Sequence, residues 1–340
     1  MATEFSSITT LADQFEGALS RLELGEKRKR VIDAHTEIRG LLESDDLLRS
    51  WGVGTVLIGS YARHTAIYPG KDVDVFTKLS RLDTSVNPRT VFNAVRDVIV
   101  AEYGDRAQPQ ARSIKVAFST DGSEDFHVDV VPAVRKGDRW AIPRRDTTRW
   151  DAPDVSDRWV ETDPEKMVKL TSDMNATAEV EGQGAYVPVA KLVRQTRWWH
   201  RRKRKPGGFY FELMTYWVFG AGMAGESFAE VFAKTLRGIA TQLQSHEPLM
   251  DPILGREYRP KPEPADLADA SAVFSDLAAK AERALTLDRC PAAAIWRSIL
   301  GENDRGPVFP LPPGCDAKGN EIKNVAAVAA VGSREASGFA

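Results

Sequence analysis

Val53-Gly54-Thr55-Val56-Leu57-Ile58-Gly59-Ser60, followed after a short turn by Asp72-Val73-Asp74-Val75-Phe76, is the stretch that decides how this chain folds. The first run is apolar and β-branched and reads as a buried strand, which Gly59-Ser60 terminates. The second alternates with period two, so Asp72 and Asp74 share one strand face. A third run, Phe126-His127-Val128-Asp129-Val130-Val131, repeats the pattern and is expected to close at Pro132. A charge set into a core-forming strand is costly unless something compensates it. For each acid alone the plain reading is a solvated strand face. If the Asp129 strand pairs beside the Asp72 strand, however, three carboxylates converge and repel one another unless cations lie between them. Oxygen-only ligands favour Mg²⁺ or Mn²⁺ over zinc. Two such ions would activate an attacking hydroxyl and stabilise a leaving pyrophosphate. A glycine admits close approach of a phosphate and a serine adds a hydroxyl, so Gly59-Ser60 suits a triphosphate cradle.

Outward from this centre, Asn87-Pro88 is a helix start, a capping side chain followed by proline at the first helical position, and the helix should run to Gly104. Ser113 to Phe118 reads as a further strand, so residues 50 to 140 form an α/β module. Before it, Leu11, Phe15 and Leu22, then Val31, Ile32, His35, Ile38, Leu41 and Leu42, recur at helical spacing, as two helices or one bent near Gly25. From about Thr162 the pattern is helical. A proline-rich loop from Pro248 to Pro264 precedes a helix over about Ala265 to Leu287, and Trp296 to Leu300 closes the folded part. The Ala-, Gly- and Ser-rich end reads as a flexible tail.

The 340 residues hold 46 Lys+Arg against 48 Asp+Glu, a formal net charge of -2, with 42% apolar residues, which excludes a disordered chain and fits two domains or one bilobal one. Cys290 and Cys315 are too few for a disulfide framework or a zinc ribbon and suggest a reducing, cytoplasmic setting. No signal peptide and no apolar run near the roughly 20 residues of a membrane span is visible, so membrane and secretion readings drop out. The balanced charge argues against a purely electrostatic nucleic-acid binder.

Gly59-Ser60-Tyr61-Ala62-Arg63-His64-Thr65, Asp72-Val73-Asp74-Val75 and His127-Val128-Asp129-Val130-Val131-Pro132 together resemble the polymerase-β-like nucleotidyltransferases, and more narrowly the bacterial CD-NTases, relatives of cyclic GMP-AMP synthase and the oligoadenylate synthases. The likeness extends through Trp159 to Pro164, Arg194 to Trp199, Phe209 to Glu212, Asp251-Pro252, Trp296 with Gly301, and Phe309-Pro310, over about residues 10 to 312. It implies an α+β fold: a nucleotidyltransferase lobe (51–160) packed on a helical lobe (161–312), bilobal with a central cleft. An N-terminal helical segment (1–50) would span both lobes, and 313–340 would be the tail. Asp72 and Asp74 would bind two Mg²⁺ ions, with Mn²⁺ as an alternative. Asp129 would complete one metal site and help activate the acceptor hydroxyl. Gly59 and Ser60 would hold the donor triphosphate, and Arg63 falls within the same nucleotide-binding motif. The activity implied joins nucleoside triphosphates, ATP among them, into a cyclic di- or trinucleotide that activates an effector in CBASS antiphage defence. Conjugation through the C-terminal Ser337-Gly338-Phe339-Ala340 is also implied, beside simple disorder. A linear nucleotidyltransferase and a non-catalytic nucleic-acid-binding module are the competing readings.

Two positions depart from the family: Arg197 stands where relatives often have a phosphate-contacting lysine, and Gly208 where they often have serine. The zinc-binding insertion of the animal DNA sensor is absent. Arg194 and Arg197 lie three apart on one helix face, where they could reach polyphosphate. Arg201 to Lys205 reads either as a solvated charged turn or as a surface for RNA, DNA or another polyanion. Tyr186, Trp140 and Trp150 could stack on a base, though packing is the plainer role. His127 is expected as a neutral hydrogen-bonded histidine, and Glu212 as a structural acid with a cationic partner from the Arg194 helix.

Overall fold

A computed structural model describes residues 9–119, 124–259 and 261–322. Its centre is a mixed sheet of seven strands: β1 (Val53–Ile58), β2 (Asp72–Asp83), β3 (Ala107–Pro109), β4 (Ile114–Ser119), β5 (Glu124–Lys136), β6 (Arg139–Pro143) and β7 (Trp159–Thr162). Five of them lie in the order β1-β2-β5-β4-β3, and β6 continues from β5 to β7. Only β2 and β5 run parallel. That pair carries the acids.

Pro132 does not end its strand, which continues to Lys136. The N–H of His127 points toward β2, donating to Lys71 O at 2.8 Å, so even-numbered residues of β5 direct their N–H groups to the opposite side. There β4 pairing ends at Val130 and β6 pairing begins at Val134. Pro132 sits in the gap, where a missing donor breaks no ladder bond.

The opening segment forms two helices, α1 (Ala12–Leu22) and α2 (Lys27–Ser44), broken at Gly25, whose φ is 60°. Their apolar stripes serve different cores. Phe15, Ala18 and Leu22 of α1 enter the helical core, where Phe15 packs edge-on to Phe232, Trp296 and Phe309. Val31, Ala34, Ile38 and Leu42 of α2 enter the core beneath the sheet. At roughly 1.5–3 kcal/mol for each large apolar side chain fully buried, both attachments are substantial. The sheet face is also covered by α5 (Pro88–Tyr103), capped by Asn87 Oδ1 accepting from the Arg89 N–H at 2.8 Å. Between α2 and β1 lies α3 (Asp46–Ser50), and β1 runs into the single turn α4 (Gly59–Ala62).

The second lobe is built from α6 (Pro164–Thr177), α7 (Tyr186–Arg201), α8 (Gly208–Gly220), α9 (Phe228–Ser245), α10 (Pro264–Leu285) and α11 (Arg289–Leu300). None of the described helices is long and apolar enough to cross a membrane.

The chain beyond Pro312 differs from the expected tail. Cys290, at the start of α11, and Cys315 are joined in a disulfide, so the expectation of reduced thiols does not hold. Their Cα atoms lie 5.2 Å apart because residues 313–322 fold back on α11, an approach that residues 25 apart in sequence do not announce. Residues 323–340, with the proposed conjugation site, lie outside the described residues.

Candidate active site

The parallel pairing of β2 and β5 sets Asp74 opposite Asp129 and Asp72 opposite His127. Asp74 is half-buried, and burial, then the charge of Asp129, pushes its carboxyl up to about 6 against the pull of Arg63. Burial, with the charge of Asp72, also raises Asp129, whose Oδ1 lies 3.5 Å from Ser113 Oγ. Asp72 is largely exposed and behaves oppositely: a hydrogen bond from His127 Nε2 at 3.0 Å holds its carboxyl below the usual range. Asp74 and Asp129 therefore stand together, while Asp72 is turned to His127. Among the described residues no three Asp, Glu, His or Cys side chains are already gathered at metal-ligand spacing. The donor set nonetheless fits Mg²⁺: all-oxygen ligands on adjacent strands, with a mutual repulsion that a divalent cation relieves.

Gly59 is required by contact. Its φ is 67°, and a Cβ there would lie 2.1 Å from Asp74 Oδ2. The turn it opens is locked by the Thr65 and Ala66 N–H groups, which both donate to Ser60 O, at 2.9 and 3.0 Å. Ser60 thus stands at the mouth of the cleft beside Asp74.

Two chambers meet at Asp74: the first, of about 480 Å³, opens between the lobes, and the second, of about 520 Å³, is lined by the catalytic lobe. Gly59, Ser60, Asp72 and Arg194 line the first; Ser113, Asp129 and Arg145 line the second; Asp74 and Arg112 line both. A smaller cavity of about 210 Å³ beneath Trp217 and Met250 contains none of these acids. Arg112 and Arg145, the latter beside Arg144, escaped the sequence reading because cations in a loop have no periodicity to mark them. Neither has a hydrogen-bonded or ion-paired partner among the described residues. Burial, then the charge of Arg145, lowers the Arg112 pKa. Two guanidiniums without a direct ion pair thus share this chamber with Asp74 and Asp129, and their free N–H groups could bind an anion.

The other basic residues are placed differently. Arg63 is buried, and its Nε donates to Glu212 Oε1 at 2.5 Å and its terminal nitrogen to Oε2 at 3.2 Å. Arg194 lines the first chamber while donating to the same carboxylate at 3.1 Å, the partner expected for Glu212. Burial opposes the Glu212 charge, but Arg63 and Arg194 outweigh it and hold the carboxyl below its usual range. Arg197 is not among the residues lining either chamber; it donates to the carbonyls of Arg204, at 2.6 Å, and Pro206. Arg201 is no solvated turn residue: it is 1% exposed and paired with Asp269 at 2.9 Å, and Arg204 joins the same carboxylate. Arg202 to Lys205 are exposed, as the solvated-turn reading has it, and Arg201 alone leaves that surface. Tyr186, Trp140 and Trp150 are buried in the cores and do not face the chambers.

A parallel strand pair presenting acids to a glycine turn, roofed by a helical lobe across a cleft, is the architecture of a polymerase-β-like nucleotidyltransferase. Comparison with known proteins narrows the class. Residues 9–175 match the Second Messenger Oligonucleotide or Dinucleotide Synthetase domain. The chain is 25% identical over 316 residues to a cyclic AMP-AMP-AMP synthase of Acinetobacter sp. (strain ATCC 27244 / 9458), covering 86% of this chain and 85% of that protein. Among solved structures it resembles Escherichia coli MS115-1 CdnC with ATP at a TM-score of 0.67 and 15% identity, over 88% of this chain and 98% of that one. It also resembles GTP-bound DncV of Vibrio cholerae, at a TM-score of 0.56 and 16% identity, with 85% of each chain covered. These likenesses support a CD-NTase, one of the nucleotidyltransferases that make cyclic oligonucleotide second messengers.

Proposed function

We propose that this enzyme joins ATP into a cyclic oligonucleotide in an Mg²⁺-dependent reaction, with the donor in the first chamber and the acceptor in the second. The observation that carries the assignment is Asp74, which faces both chambers and touches the Gly59 turn on one side and Asp129 on the other. ATP is inferred from the Acinetobacter relative, named as a cyclic AMP-AMP-AMP synthase.

Gly59 and Ser60 hold the donor triphosphate so that its α-phosphorus stands over Asp74. The acceptor ribose hydroxyl lies near Asp129, which takes its proton as the new oxygen–phosphorus bond forms and the bond to pyrophosphate breaks. Arg112 and Arg145 hold acceptor phosphates. Asp72, Asp74 and Asp129 would ligate the Mg²⁺ ions, which make the hydroxyl more acidic and stabilise the departing pyrophosphate. His127 engages one oxygen of Asp72, and the other would be open to the metal. A further turnover within the linear product closes the ring. The product acts on an effector in antiphage defence in the cytoplasm, and the C-terminus is a conjugation point.

Pyrophosphate release from ATP with Mg²⁺ tests the assignment. Asp72→Asn and Asp129→Asn are expected to lose at least about a thousandfold while remaining folded, since each removes a charge that acts in the transition state. Either variant within tenfold of the parent refutes it.

A further inference from the structure

We propose that Glu212 is a positioning residue for the transfer reaction: through Arg63 it sets where the Gly59-Ser60 turn stands relative to the helical lobe. The proposal rests on the reading that this turn holds the donor triphosphate.

Glu212 is fully buried on α8, and Arg63 is 6% exposed at the end of α4. The Arg63 N–H donates to Gly59 O at 3.2 Å, so the guanidinium and the phosphate turn move as one short unit. Two parallel hydrogen bonds to Glu212 fix that unit in both distance and orientation, because a guanidinium fork matches a carboxylate in a single plane. Phe209, one turn before Glu212 on α8, closes the other side, its ring centre 4.8 Å from the Arg63 guanidinium carbon. The partners are 149 residues apart and belong to different lobes.

Stability alone gives little reason for this arrangement. Taking two charges out of water costs about as much as their attraction returns, and apolar residues of like volume commonly serve as well. What an apolar pair cannot supply is a fixed angle and length. The carboxylate also holds a second arginine, Arg194, whose Nε is buried without a partner and which lines the donor chamber. Two cations on one anion leave a net positive charge facing the place where triphosphate binds. Glu212 thus fixes the turn with one oxygen pair and holds an arginine at the cleft with the same group.

Glu212→Asp keeps the charge but withdraws it by one methylene, about 1.5 Å. A misplacement of about 1 Å at reacting groups costs on the order of a hundredfold. Arg63→Met with Glu212→Met removes the fully buried pair together and leaves only Arg194, which reaches the cleft, without its carboxylate. We expect both variants to fold by circular dichroism and to bind α,β-methylene-ATP with Mg²⁺ within about threefold of the parent. Their kcat for pyrophosphate release should fall by at least about tenfold, a split between binding and turnover that a purely structural role would not produce. Either folded variant with kcat within threefold of the parent overturns the proposal. Full turnover by Gly59→Ala reports a different failure: it removes the phosphate-turn reading, and this assignment with it.

Discussion

Replacing Gly59 with alanine tests the contact on which the site is built. The new Cβ would lie 2.1 Å from Asp74 Oδ2 and 3.1 Å from its carboxyl carbon, where ordinary contact begins near 3.4 Å. The carboxylate must therefore retreat by more than 1 Å or the turn must open by as much. The residue also sits at φ 67°, where a side chain costs about 1–2 kcal/mol. Strain in the turn should appear as a drop in the unfolding midpoint of a few degrees. Displacement of Asp74 should appear as a loss of kcat of about a hundredfold. Pyrophosphate release at saturating ATP and Mg²⁺, beside a thermal melt, reads both. Gly54→Ala is the matched control, because a Cβ at that position would meet no atom within 4 Å and its φ is not positive. It should retain parental turnover. Gly59→Ala with kcat within threefold of the parent would show that the Gly59–Asp74 contact does not set the geometry of transfer.

The disulfide between Cys290 and Cys315 closes a loop of 25 residues, so its reduction should cost roughly 3 kcal/mol, read as a lower melting temperature in dithiothreitol that Cys290→Ser/Cys315→Ser reproduces without reductant. Asp125 accepts hydrogen bonds from Lys27 and Arg30 that hold its carboxyl below the usual range, joining α2 to β5. Because its folded pKa is depressed, this stabilisation is present above the unfolded pKa near 4 and is lost as pH falls through the folded value. Asp125→Asn should cost roughly 1.5 kcal/mol at pH 7 by denaturant titration, a penalty that shrinks steadily below pH 4. Gly208 lines the donor chamber with ordinary backbone and its nearest foreign atom, from Arg194, at 3.8 Å. Gly208→Ser should fold normally and lower the KM for ATP by roughly twofold to tenfold, the value of one added hydrogen bond.

Much of the catalytic lobe is written in local pattern. Period-two alternation places Asp72, Asp74 and Asp129 on strand faces, and Asn87-Pro88 marks the helix that the structure starts at Pro88. Glu212 announced its need for a cation because an acid inside Phe209-Tyr210-Phe211-Glu212-Leu213 has no other way to be buried. What pattern cannot encode is choice among partners far apart in sequence. Arg63 and Arg194 read as phosphate ligands, yet both are tied to Glu212, from the other lobe and from the neighbouring helix. Arg201 lies in a visibly basic run, and only the approach of α10 shows that Asp269 buries it. The Cys290–Cys315 bond and the continuation of β5 past Pro132 depend likewise on tertiary neighbours. Arg112 and Arg145 carry no local signature at all; only the shape of the second chamber singles them out.

The central claim is that two nucleotide chambers meeting at Asp74 build a closed ring from ATP. Mass spectrometry of the phosphatase-treated product of ATP and Mg²⁺ tests it most directly. The account predicts a phosphatase-resistant species whose mass is a whole number of AMP residues with no terminal groups, absent when Asp74→Asn replaces the parent. Only linear chains trimmed by phosphatase, or a product that persists in Asp74→Asn, would contradict it.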